Sequence, residues 1–321
     1  MTTTNPVVPA AFGLGSDADR SMPKATLKFQ LVNLIAILVP FFGVIAAFVL
    51  LWGVAFSWVY LAIFIVMYLV TGLGITVGYH RLFTHCSFKA PRPVVYLLGV
   101  FGSMAVQGPV MEWVATHRRH HQHSDDHEDP HSPHVHGDTL FGVIRGAWHA
   151  HIGWMFTGRR PGLARYVKDL RKDPMVRHID RFFPLYVLLG MLAPAALAGL
   201  LTMSWMGVLL GFLWGGLVRV FLVHHVTWSV NSICHIWGKR PYRTHDESRN
   251  NAIVGVLALG EGWHNNHHAF PTSAAHGLRW WQFDLSYLLI KAMSFIGLAS
   301  DIRRPTPERM AQKGIGPTET H

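Results

Sequence analysis

Four stretches of the chain are almost wholly apolar: Leu31–Leu51, Trp58–Tyr79, Pro184–Leu201 and Trp205–Val223. At about 1.5 Å per helical residue, each approaches or exceeds the roughly 30 Å of a hydrocarbon core. Only Trp52–Ser57 and Thr202–Ser204 separate the members of each pair. The pattern predicts four transmembrane helices in two hairpins. Two shorter apolar runs, Val94–Val110 and Tyr287–Ala299, are interrupted by glycine, and the first also by proline. They read as helices lying in or dipping into the membrane interface. The sequence holds no internal repeat and no second soluble domain.

Basic residues orient these spans. Neither connector within a hairpin holds Lys or Arg, whereas the N-terminal tail, residues 80–183 and residues 224–321 hold nearly all of them. Basic loops stay in the cytoplasm, so these three regions are expected there, with a bacterial cytoplasmic membrane as the location. Arg219 falls inside the fourth span near its cytoplasmic end, where its side chain is expected to snorkel to the interface. Met1–Pro23 is polar and rich in small residues, unlike a signal peptide. The expected organisation is a flexible cytosolic tail over 1–26, one membrane domain over 27–300 and a polar C-terminal tail over 301–321.

Composition sharpens this picture. Of 321 residues, 50% are hydrophobic and 14% charged, against about 25% charged in soluble domains. That excludes a disordered chain. Two cysteines exclude a disulfide scaffold. A formal charge of +10 fits a basic face beside a membrane, with no nucleic-acid partner. The unusual count is 22 histidines, more than the 18 Asp and Glu together.

Nine of these histidines form four clusters on the cytoplasmic side. They are HRLFTH (His80, His85), HRRHH (His117, His120, His121), NSICH (His235) and GEGWHNNHH (His264, His267, His268). Helical residues three and four apart share a face, so each HxxHH triplet can aim at one locus. Asn231 stands four residues before His235. Neutral imidazole is the commonest side-chain ligand of divalent transition metals. A catalytic zinc takes three protein ligands and a structural one four. Nine histidines therefore fit two ions side by side. The remaining histidines read otherwise. Gln122–His136 lacks helical spacing and is expected to be a solvated loop, with His131 of Asp129-Pro130-His131 near the ligands. His224 and His225 are candidates to support them. Cys86 and Cys234 each adjoin a candidate ligand but point about 100° away from it, as neighbours on a helix do, and are expected to be buried thiols.

HRLFTH, HRRHH with DPH downstream, TWSVNSICH and GEGWHNNHH resemble the histidine boxes of the membrane-bound fatty acyl desaturases. The resemblance runs in family order and spacing from about Leu27 to Ile296. It is closest to the Δ9 acyl-CoA (stearoyl-CoA) desaturase group. It implies an all-α integral membrane fold, with a cytosolic helical cap holding a histidine-ligated di-iron centre on the four-helix stem. The nine histidines would hold two ferrous ions, with Asn231 reaching one through a water. A bent acyl tunnel would be lined by Gln107, Trp113, Thr227 and Trp228 near the reacting carbons and closed at Tyr68 and Gly72. Animal members carry Asn, Arg and Asp where this chain has Gly108, Ala115 and Thr116, in the region that handles the CoA head group. The resemblance favours an acyl-CoA substrate, and these departures leave a chain on a lipid or on a carrier protein open.

The implied reaction is O2-dependent insertion of a cis double bond, at Δ9, into a saturated C16–C18 chain. The oxidising power belongs to the metals, and the protein contributes position. No His-Pro-Gly-Gly haem motif occurs. Electrons are expected from a separate reductase with a ferredoxin, rubredoxin or cytochrome b5 type carrier. A di-iron fatty acid or alkane hydroxylase would use similar ligands. A membrane metal carrier or sensor would place its ligands near the midplane or along a pathway.

Overall fold

The computed structural model describes residues 26–49, 57–137, 139–157 and 163–315. The expected N-terminal tail up to residue 25, the first connector at 50–56 and the last six residues lie outside the described residues. Helix α1 (Leu27–Val49) and α2 (Trp58–Thr84) form the first long pair. Among the shorter helices that follow are α3 (Arg92–Ser103), α4 (Val110–His123), α5 (Leu140–His151) and α6 (Pro174–Arg181). The second long pair is α7 (Phe183–Thr202) and α8 (Trp205–Ile236). The chain ends with α9 (Ala252–Leu257), α10 (His264–Ala269), α11 (Leu285–Phe295) and α12 (Pro307–Lys313). The four long helices are those apolar and long enough to cross a membrane. Among the described residues no strand forms, and only isolated bridges such as Lys89 with Ser300 occur.

Two of the long helices outlast their apolar stretch. α2 continues beyond Tyr79 to Thr84, and α8 beyond Val223 to Ile236. Their polar ends are buried under the cap, so side chains there find protein partners rather than lipid. Both contain a widened π-helical segment, Gly74–Thr84 and Phe212–Val218. Such turns are common at functional sites because they re-aim the side chains that follow. In α2 the cause is visible. A Cβ on Gly74 would lie 2.2 Å from Gly102 N, and one on Gly78 2.8 Å from Leu98 O. α3 therefore crosses α2 at backbone contact, and Tyr79 Oη bonds Ser103 Oγ at 2.9 Å. That crossing fixes where the next residue, His80, points.

Arg219 does not snorkel. It is fully buried and donates to Gly215 O, Met104 O and Gly190 O at 3.0, 2.7 and 2.7 Å. α3 ends three residues before a tight turn at Val106, which leaves carbonyls without helical partners. Arg219 takes one of them. His224 Nε2 approaches two more, Ala105 O at 3.1 Å and Val106 O at 3.0 Å. His224 thus anchors this turn, and His225 bonds His151 Nε2 at 3.0 Å. Beyond residue 300 the chain packs on the cap, where Lys313 Nζ donates to Ala269 O at 2.7 Å.

Candidate metal centre

Four helices deliver the nine histidines to one place. The end of α2 carries His80 with His85 just beyond it, α4 carries His117, His120 and His121, α8 ends at His235, and α10 carries His264, His267 and His268. They sort into two groups, each with its ligand atoms within 4.8 Å of one another. One holds His80, His85, His117, His121 and His267, and the other holds His120, His235, His264 and His268. Neither HxxHH triplet aims at a single locus. The i and i+4 members of α4 join the first group and the i+3 member the second, while α10 does the reverse. One helical face thus serves two adjacent sites.

The ring nitrogens crowd in a way that calls for cations. His80 Nε2 lies 3.1 Å from His267 Nε2, which lies 2.8 Å from His121 Nε2. In the second group His120 Nε2 is 3.3 Å from His268 Nε2, and His264 Nε2 is 3.1 Å from His235 Nε2. His120 and His268 each direct Nδ1 at a carboxylate, Asp129 at 3.0 Å and Asp246 at 2.6 Å. With Nδ1 given to the carboxylate, a neutral ring leaves Nε2 as a bare lone pair, the atom that binds a metal. Imidazole nitrogens about 2.1 Å from a shared ion stand about 3 Å apart at right angles, which matches this spacing.

Burial holds His117, His121, His264, His267 and His268 well below the usual imidazole range, with neighbouring histidines adding to the effect. These rings are neutral, the form that binds metal. Asp246 is buried, which opposes ionisation, but its bond to Ser248 and the nearby His235 outweigh that and hold it at about 2. His235 Nδ1 bonds Asp125 at 2.9 Å, and His80 Nδ1 pairs with Glu261. Such carboxylates fix the ring tautomer and orientation in metal sites.

These carboxylates are what the sequence reading missed. Asp129 and Glu261 stood inside motifs already singled out, DPH and GEGWH, whereas Asp125 and Asp246 carry no local signal. Arg81 was also missed. Fully buried, it pairs with Glu261 at 2.6 Å and Asp284 at 3.1 Å, tying the end of α2 to the segment before α11. The stretch Gln122–His136 is only partly a solvated loop. Asp129, His131 and Ser132 are buried, and the His131 ring lies 4.4 Å from that of His120. Cys234 is buried, but Cys86 is exposed, because the chain turns outward there with φ 49°.

Two cavities flank the histidines. One, of about 230 Å³, contains Gln107, Trp113, Thr227 and Trp228 in its wall. There Gln107 Nε2 donates to Thr227 Oγ1 at 2.9 Å, and Trp113 Nε1 to Gln107 Oε1 at 3.4 Å. The other, of about 50 Å³, reaches Tyr68 and Gly72 in α2. Trp113, His117, Thr227 and Asn231 border both. Tyr68 Oη donates to Leu257 O at 2.6 Å.

A model of the fatty acid desaturase family matches residues 56–293. A hex-5-enoyl acyl-carrier-protein acetylenase of Moorena producens (strain JHB) is 42% identical over 292 residues, 90% of either chain. The Delta-9 acyl-lipid desaturase 1 of Arabidopsis thaliana is 39% identical over 78% of this chain and 77% of its own. The sn-1 stearoyl-lipid 9-desaturase of Anabaena variabilis is 39% identical over 77% of this chain and 85% of its own. With four apolar long helices, paired histidine clusters and this breadth of match, the chain belongs to the fatty acid desaturase family.

Proposed function

We propose that this protein is an O2-dependent desaturase that places a cis double bond, at Δ9, in a saturated C16–C18 chain esterified to a membrane lipid. The observation that carries the reading is the position of the histidines at the junction of two cavities that share Trp113, His117, Thr227 and Asn231. One ferrous ion would sit in each histidine group, with Asn231 serving the four-histidine site through a water. When bound, the ions supply the oxidising power that removes two hydrogens from unactivated methylenes. The chain's own side chains do the positioning. The bonded series Trp113, Gln107 and Thr227 forms a fixed wall beside the metals. Tyr68, held by Leu257 O, and Gly72 line the smaller cavity, where the methyl end of the chain would lie. Asp125, Asp129, Asp246 and Glu261 keep Nδ1 of their rings occupied, which leaves Nε2 for the ion.

The carrier is where we depart from acyl-CoA. Among the described residues lining the larger cavity, Glu112 is the only one carrying a carboxylate or a permanent cation. A CoA thioester brings several phosphate charges, which proteins meet with Arg and Lys. Phe29, Val32 and Asn33 of α1 also line the cavity, and there the substrate would arrive from the bilayer. The acyl-lipid desaturases among the relatives point the same way. We assign residues 27–300 as the catalytic domain between tails 1–26 and 301–321. We assign the metal site to the cytoplasmic side of a bacterial membrane, because Thr202–Ser204 holds no basic residue. A separate reductase and electron carrier complete the reaction.

The test supplies the iron-loaded enzyme, O2 and a reducing system with stearoyl lipid in vesicles or with stearoyl-CoA. Mass spectrometry should find the lipid chain lighter by two hydrogens with the bond at C9. Conversion of the CoA ester alone would reject the lipid carrier. Addition of oxygen to the chain would reject desaturation.

A further inference from the structure

Helix α5 is inside out for a water-facing helix. Its outward residues are Leu140, Phe141, Ile144 and Trp148, exposed by 79, 74, 58 and 63%. At 100° per residue these four fall within one arc of about 100°, with Arg145 at its edge. The inward face is small or polar. Gly142, Gly146 and Ala150 are buried against their neighbours, and at the C-terminal end of the helix His151 turns from the apolar side to bond Ser232 Oγ and His225 Nδ1 of α8, both at 3.0 Å. A soluble protein rarely exposes so concentrated an apolar stripe, and Arg beside Trp and Phe is typical of a helix lying in a bilayer interface.

The level of α5 agrees with that reading. The turn that follows it, Gly153–Phe156, is held to the first turns of α1, where Gln30 Nε2 donates to Phe156 O and Asn33 Nδ2 to Met155 O, each at 3.1 Å. The same end of α1 presents Leu31 and Ile35 outward. The apolar face of α5 is therefore continuous with the lipid-facing surface of a membrane-crossing helix. Trp154 and Met155 of that turn also line the larger cavity beside Phe29, Val32 and Asn33.

We infer that α5 lies in the bilayer interface with its outward face among lipid acyl chains, and that it sets the cavity mouth at the depth where lipid-linked chains enter sideways. The entry role rests on the lipid-linked substrate proposed above. The depth of α5 does not.

Two measurements on the full chain in phosphatidylglycerol vesicles test the two halves separately. With Cys86 replaced by Ser, a nitroxide is placed on Ile144→Cys, with Ile35→Cys as the lipid reference and Glu128→Cys as the water reference. The label at 144 should collide with O2 more than with a water-soluble nickel chelate, as at 35 and opposite to 128. A label resembling that at 128 would overturn the placement. So would a label shielded from both reagents, which would mean that a second copy or another protein covers the face. For entry, Ile144→Lys should raise KM for stearoyl lipid in vesicles by about tenfold, or about 1.4 kcal/mol, while iron content and kcat hold. An unchanged KM would overturn the entry role. If the parent enzyme ignores vesicle lipid altogether, the substrate reading fails while the depth result stands.

Discussion

The two histidine groups draw on the same helices yet stand against different backgrounds. In the four-histidine group, three rings rest on carboxylates: His120 on Asp129, His235 on Asp125 and His268 on Asp246. Among the described contacts of the five-histidine group, the ring paired with a carboxylate is His80, and its partner Glu261 is shared with the buried Arg81. The first site is strongly anionic behind its ligands, and the second is nearly balanced. Low dielectric magnifies that difference for a divalent ion. An extra neutral ligand on one side is thus set against extra negative charge on the other, and the charge should dominate how firmly each ion is held.

The largest effect comes from removing a ligand. His120→Ala should empty the four-histidine site and His267→Ala the five-histidine site. Either should cut desaturation by more than about a hundredfold, beyond the usual cost of an outer-sphere change. Iron per protein and fatty acid products are the measurements. Full activity with one iron lost would mean that the two groups do not act as one centre.

Smaller and more telling is the loss of charge behind a ligand. Removal of metal by a chelator should run in two phases, with the five-histidine ion leaving first. Asp246→Asn should weaken only the slow phase, by about ten- to a hundredfold. Glu261→Gln should act on the fast one. A single phase, or an Asp246→Asn effect on the fast phase, would remove the asymmetry.

Without metal, both groups become a liability at low pH. The folded protein keeps His117, His121, His264, His267 and His268 neutral far below the usual imidazole range. The unfolded chain protonates them below about 6.5. It then binds more protons than the folded state, so stability rises with pH up to that value and is level above it. Thermal melts of the metal-free protein should show at least about 1.4 kcal/mol lost per pH unit below 6, a tenfold change in the folding equilibrium. A flat profile between pH 5 and 8 would show that the rings are not held neutral.

Much of this architecture was legible because hydropathy and helical spacing are local signals. The four spans and the nine histidines needed no tertiary information. Where the sequence misled, a distant partner decided. Arg219 is expected at the interface by depth alone, but the carbonyls freed at the end of α3 draw it inward. The division of each HxxHH triplet between two sites depends on how α4 and α10 face one another. Asp246 reaches His268 only because the loop after α8 folds back, and nothing near THDES announces it.

The two cavities allow the smallest test. The larger is lined in part by α1, and Tyr68 and Gly72 line the smaller. A Cβ on Gly72 would lie 2.9 Å from Leu259 Cδ1. That atom is the tip of a flexible side chain, so a larger residue is accommodated only by filling the cavity end. Gly72→Leu should remove room for one or two methylenes at the methyl end of the substrate. At about 0.8 kcal/mol for each buried methylene, C18 chains should lose about four- to fifteenfold against C16, with the double bond still counted from the carboxyl end. If Gly72 instead serves only close packing of α2 against its neighbours, both chain lengths should fall together and protein yield with them. The ratio of C16 to C18 products at matched iron content separates the two, and an unchanged ratio would reject Gly72 as the end of the tunnel.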